Sequence, residues 1–136
     1  MLIMVCYDGT QTGHRAVKLA QEHATVWKAK LVVVKAVERD TPLKRAFVEE
    51  EEQMLRDEIS GLLLNSTIPW DCELFIGSIS SGEQLENFAR SEDVDLVFIG
   101  VEKRSKVGKL LFGSTAQHVI LKSPCPVVTV NSHENS

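Results

Sequence analysis

The sequence predicts an α/β protein whose parallel sheet is covered by helices on both faces. Hydrophobic runs of strand length alternate with stretches of helical spacing from end to end. Most of those runs are apolar without alternation, which is the pattern of strands buried on both sides. The order is βαβαβαβαβ, and strands joined through helices pair in parallel by right-handed crossovers. A chain of 136 residues, 43% hydrophobic and 25% charged, supplies one domain with one proper core.

Leu2-Ile3-Met4-Val5-Cys6 reads as the first strand, buried on both faces. Gly13 to Trp27 follows as a helix, with Ala16, Ala20, Ala24 and Trp27 at helical spacing and Thr12 as its expected N-cap. Leu31 to Val37, rich in β-branched residues, is the second strand. A long helix is expected after Pro42. Its apolar stripe is Phe47, Met54, Leu55, Ile59, Leu62 and Leu63, and Glu49 to Glu52 form a solvated outer face. Asn65, Ser66 and Pro69 end it, and Cys72 to Ile76 reads as a shorter strand near an edge.

Ser80 or Ser81 is expected to cap the third helix, whose inner face is Leu85, Phe88 and Ala89. Leu96-Val97-Phe98-Ile99 is wholly apolar and is expected in the middle of the sheet. The loop from Gly100 to Phe112 leads to a helix starting near Ser114, with Ala116, Val119 and Ile120 facing inward. Pro124-Cys125-Pro126 breaks that helix, and Val127-Val128-Thr129-Val130 is the last strand. The whole chain is read as one domain, residues 1–136, with 131–136 a polar, frayed tail.

Composition limits the function. A net charge of −4 disfavours non-specific binding to nucleic acid or to an anionic membrane. No run approaches the roughly 20 apolar residues of a membrane helix, and the run Leu2 to Cys6 is too short for a signal-peptide core. Cys6, Cys72 and Cys125 are widely spaced and odd in number, so buried reduced thiols and a cytoplasmic location are expected. His14, His23, His118 and His133 have no local metal spacing. No Ser–His pair or second carboxylate stands near Asp8 in sequence, so nucleophilic or acid–base catalysis lacks its parts.

Open parallel sheets bind ligands at the carboxyl ends of their strands, where the strand order reverses. Tyr7-Asp8-Gly9-Thr10 follows the first strand, Gly100 follows the fourth, and Gly113-Ser114-Thr115 opens the last helix. A helix start presents unpaired N–H groups, and a glycine there lets an anion approach the backbone. The stretch Gly108 to Thr115 has the glycine spacing of a P-loop, but Ser114 stands where that motif requires lysine.

These residues resemble the universal stress protein family. Its glycine signature, G-x-x-G-x9-G-[ST], is met by Gly100, Gly113 and Ser114, its aspartate by Asp8-Gly9-Thr10, and its carboxyl-terminal motif by Ser123-Pro124-Cys125-Pro126-Val127-Val128. The resemblance spans essentially the whole chain. It implies an adenine-nucleotide α-hydrolase-like fold, an open five-stranded parallel sheet of order 3-2-1-4-5. It implies a stress-related regulatory protein that binds ATP or a similar adenine nucleotide, with Mg as a companion ion, and at most weak hydrolysis. Carried over residue by residue, the nucleotide would meet Tyr7, Asp8, Ala36, Ile99, Gly100, Gly113, Ser114, Thr115 and Ala116. A homodimer joined through the edge strand Val127 to Val130 is also implied, and that strand has no later segment to cover it.

The second signature glycine is Lys103 here, in the basic run Lys103-Arg104-Ser105-Lys106. Two readings follow. Its ammonium contacts phosphate in place of the glycine backbone, or its side chain closes the site and leaves a dimeric interaction protein that binds no nucleotide.

Overall fold

The computed structural model describes residues 1–102 and 112–131. Five strands and four helices alternate: β1 Leu2–Cys6, α1 Gln11–Trp27, β2 Lys30–Glu38, α2 Arg45–Leu62, β3 Trp70–Gly77, α3 Ser81–Ser91, β4 Leu96–Val101, α4 Ser114–Lys122 and β5 Val127–Asn131. The sheet order is β3-β2-β1-β4-β5, and every pairing is parallel. β1 is the middle strand, with Cys6 opposite Val34 on β2 and Ile99 on β4. The order reverses there, so the crevice past Cys6 and Ile99 is the switch point.

Two cores follow from the two-residue period of the strands. On one face Ile3, Val5, Val33 and Phe98 pack under α1 and α2, against Ala16, Ala20, Ala24, Leu55 and Ile59. On the other, Met4, Cys6, Val32, Val34, Val97 and Ile99 pack under α3 and α4, against Leu85, Ala89, Ala116 and Val119. The alanine stripe of α1 lets that helix lie close on the sheet. The two helices of the second face meet at Gly82, where a Cβ would stand 2.6 Å from the His118 Cβ. His118 Nε2 lies 2.8 Å from Glu86 Oε1, and Glu86 Oε2 accepts from Arg90 Nε at 2.8 Å. Those hydrogen bonds, from Arg90 first and then His118, hold the Glu86 carboxyl below its usual range.

Several elements differ in detail from the sequence reading. The N-cap of α1 is Thr10, whose side chain accepts from the Gly13 N–H; Thr12 is instead buried in the first turn. On α2 the buried stripe is Leu55, Ile59 and, just past its end, Leu63, four residues apart, while Phe47 and Met54 are exposed. α2 covers only the β2–β3 side of the sheet, so one narrow stripe suffices. β3 is eight residues long rather than short, because it follows β2 to its end at Glu38 opposite Gly77. Of the two candidate caps for α3, Ser80 serves, accepting from the Glu83 N–H at 3.1 Å. The Ser123-to-Pro126 turn is tied locally: Ser123 Oγ donates to the Cys125 carbonyl at 2.8 Å, and the Pro126 carbonyl accepts from the Val97 N–H at 3.0 Å. No helix among the described residues is long and apolar enough to cross a membrane.

Candidate functional site

β1 ends in a turn that folds a carboxylate back onto the start of α1. Gly9 sits at φ 83°, in the left-handed region that glycine adopts without strain. This lets Asp8 Oδ1 accept both the Thr10 N–H, at 3.0 Å, and the Thr10 hydroxyl, at 2.6 Å. The Thr10 Oγ1 in turn accepts from the Gly13 N–H at 3.1 Å. Asp8 is exposed, and its second oxygen, Oδ2, has no partner among the described residues. One oxygen of the carboxylate is therefore fixed by the protein, and the other is without a hydrogen-bond partner among the described residues.

The start of α4 is built differently. Gly113 is the N-cap residue and offers no side-chain acceptor, and no acidic residue stands in the first turn. Among the described residues no side chain caps the first amides, so the N–H groups of Ser114, Thr115 and Ala116 and the positive end of the helix dipole have no compensating partner there. The first amides of α1 have the Thr10 hydroxyl and the Asp8 carboxylate beside them. Of the two helix starts at the switch point, one is already supplied with an anion and the other is open to one.

The remaining expected residues take several roles. The Tyr7 ring is 3% exposed and turns under α1, away from the crevice. Its hydroxyl donates to Glu58 Oε2 on α2 at 2.6 Å, and its ring stacks on His14 with centroids 5.8 Å apart. Burial first, then the Glu58 hydrogen bond, pushes the Tyr7 phenol well above its ordinary range. The Ile99 and Ala116 side chains lie in the core beneath α4, so only their backbone can face a ligand. Ala36 is half-buried near the end of β2. That end is held to α3 by Gln84, whose amide donates to the Val37 carbonyl at 2.9 Å and the Ile79 carbonyl at 3.1 Å. Ser114 is exposed and Thr115 half-buried at the open helix start. Lys103 lies outside the described residues.

Gly100 has a structural reason of its own. A Cβ there would meet Thr12 Cγ2 at 2.8 Å and the Thr12 backbone carbon and oxygen at 3.0 Å. The first turn of α1 lies directly on this glycine. Sequence reasoning found Gly100 but not Thr12 as its partner. It also missed Gly13, where a Cβ would stand 2.7 Å from Asp8 Oδ1. Nothing local in sequence signals either contact, because each depends on how closely α1 approaches the strands.

Two clefts lie elsewhere, along β3. One, of about 330 Å³ between α2 and β3, is lined by Glu49, Glu52, Asp71 and Glu73 together with Arg56. Burial, with the charges of Asp71 and Glu52, pushes the Glu73 carboxyl up. Such a lining repels phosphate. The other, of about 570 Å³, opens between the 39–43 turn and Phe75 to Ser78. Neither reaches Asp8 or α4.

The model of the Universal stress protein family matches residues 1–131, the whole span from β1 to β5. The chain belongs to this family. A "Universal stress protein" of Mycolicibacterium smegmatis is 31% identical over 132 residues, covering 97% of this chain and 98% of that one. The fold is likewise shared with a universal stress protein from Archaeoglobus fulgidus. That structure has a TM-score of 0.80 and 27% identity, covering 96% of this chain and 98% of the other. A second structure, the Archaeoglobus fulgidus universal stress protein in complex with dAMP, has a TM-score of 0.76 and 22% identity, covering 96% and 97%.

Proposed function

We propose that this protein is a stress-related regulatory protein that binds ATP or a similar adenine nucleotide at the carboxyl ends of β1 and β4. The contrast between the two helix starts carries the reading. The fixed carboxylate of Asp8, with Oδ2 open, is an acceptor for a sugar hydroxyl or the adenine amino group. The uncapped amides of Ser114, Thr115 and Ala116 are donors for phosphate, with Lys103 as a further phosphate contact. The dAMP-bound relative supports the ligand class. Binding rather than turnover is the role assigned, with at most slow hydrolysis.

Calorimetric titration of AMP into wild type and Asp8→Ala tests it. Loss of one charge-assisted hydrogen bond should cost roughly 1.5–3 kcal/mol of binding. Adenosine should bind more weakly than AMP, with the gap narrowing as salt is added. Equal affinity in the two proteins would make Asp8 structural. A wild type that binds no adenine nucleotide would favour the other reading of Lys103, a dimeric interaction protein of the same fold.

The protein also acts, in this proposal, as a homodimer paired through β5. The two sheet edges differ in charge. β3 carries Asp71 and Glu73, with Glu49 and Glu52 beside them, and two-fold pairing there would set like charges together. β5, from Val127 to Val130, has no charged residue. A bare apolar edge invites pairing, and a charged one resists it. Thr129 is exposed on β5, so Thr129→Lys adds charge without disturbing the core. The wild type should sediment as a dimer at micromolar concentration and the variant as a monomer. A variant that stays dimeric would remove β5 as the interface.

A further inference from the structure

We propose that Thr10 and Gly13 are positioning residues for the Asp8 carboxylate: Thr10 fixes one oxygen by hydrogen bonding and Gly13 leaves the space into which that oxygen folds. This rests on the reading of Asp8 as a nucleotide contact, and extends it to two residues that need not touch the ligand.

An exposed, unbonded aspartate samples several χ1 rotamers, and a ligand that needs one of them must restrict it. Here the restriction is built in. Asp8 Oδ1 accepts the Thr10 N–H at 3.0 Å and the Thr10 hydroxyl at 2.6 Å. The hydroxyl gives its one proton to Asp8 and, with a lone pair, accepts from the Gly13 N–H at 3.1 Å. Donor and acceptor roles of Thr10 Oγ1 are thus both assigned, and the hydroxyl proton is directed at the carboxylate. Serine keeps both hydroxyl bonds; valine, the same shape, removes both and leaves Asp8 with the backbone N–H alone.

Gly13 supplies the complementary half. It is buried in the first turn of α1, where glycine is a poor helix residue and alanine a better one. The added Cβ of alanine would stand 2.7 Å from Asp8 Oδ1 and 3.3 Å from Tyr7 Cδ1. The Tyr7 ring is buried and bonded to Glu58, so it does not yield easily. The Asp8 carboxylate is the end of an exposed side chain and does. Gly13→Ala should therefore leave the helix intact and push the carboxylate off its station.

Four variants of the full chain test this by titration with AMP: Thr10→Val, Thr10→Ser, Gly13→Ala and the double variant Asp8→Ala/Thr10→Val, with Asp8→Ala as reference. Thr10→Val should weaken AMP by about fivefold to tenfold, the worth of one hydrogen bond, and Thr10→Ser should stay within about twofold of wild type by the same measure. In the Asp8→Ala background, Thr10→Val should cost nothing further, because its effect travels through Asp8. Gly13→Ala should lose AMP affinity while its thermal midpoint holds or rises, a divergence that a purely structural residue would not give. Equal losses from Thr10→Val in both backgrounds, or affinity and thermal midpoint falling together in Gly13→Ala, would overturn the proposal. Three-bond couplings that report Asp8 χ1 supply a readout without ligand. They should show one rotamer in wild type and Thr10→Ser, and averaging in Thr10→Val. Averaging already in wild type overturns the positioning claim. A single rotamer in a protein that binds no AMP leaves the positioning standing and removes the nucleotide reading instead.

Discussion

Replacing Phe98 by alanine is expected to lower the free energy of unfolding by about 4 kcal/mol, within the range for emptying a fully buried aromatic site. Phe98 is 0% exposed on β4, flanked in the sheet by Val5 on β1 and Val128 on β5. Above it lies α1, whose buried face is Ala16, Val17, Ala20 and Ala24, and His23 meets the ring edge-on with centroids 5.1 Å apart. Alanine and valine are too short to fill a vacated ring site, and the strands on either side are fixed by their ladders. The cavity should persist, so the cost should lie above the bare transfer term. Phe98→Leu, which fills most of the space, should cost less than half as much. Urea unfolding measures both. A loss under about 2 kcal/mol for the alanine variant would mean that α1 settles onto the sheet, contrary to the rigid packing argued here.

The same elements show how much was legible in advance. Phe98 belongs to an unbroken apolar run, and burial of β4 in the middle of the sheet followed from that run alone. The inner strands could be read this way, because a parallel sheet buries both of their faces and writes that into consecutive residues; the helices were legible from their spacing instead. Strand order was not written there; it came from the family resemblance. The misplacements share one cause. Thr12 satisfies every local rule for an N-cap, yet its methyl is needed against Gly100, and Thr10 two residues earlier takes the capping role. Phe47 and Met54 fit a helical stripe by spacing, but α2 has nothing to cover on that side. Local spacing gives the element, and the tertiary partner decides which face is used.

The site divides along the same line. Asp8, Gly113 and Ser114 were legible because a turn after a strand and a glycine before a helix are local features. Tyr7, Ile99 and Ala116 were carried over by position, and the structure turns their side chains into the cores. Gly13 reads in the sequence as an ordinary helical residue. Its importance lies in a distance to Asp8 that no spacing rule contains.

Gly100 sharpens the question, since a signature glycine has two physical explanations. It either admits a ligand to the backbone or admits another part of the chain. Gly100→Val is expected to lower the free energy of unfolding by about 3 kcal/mol, at the upper end for overpacking. Two of the three atoms that a Cβ would meet, at 3.0 Å, belong to the Thr12 backbone, and only the third, at 2.8 Å, is a side-chain methyl. Rotating Thr12 cannot clear the backbone, so the first turn of α1 has to lift. Thr12→Ser, which removes only the methyl, should therefore restore a minor part of the loss. Lifting that turn also moves Thr10 and with it Asp8, so AMP affinity should fall together with stability. Gly100→Ala separates the two explanations most cleanly when unfolding and AMP titration are measured on the same protein. Joint loss of stability and affinity means that the glycine is kept for the packing of α1. Full stability with lost affinity means that the ligand, not Thr12, occupies the space a Cβ would take.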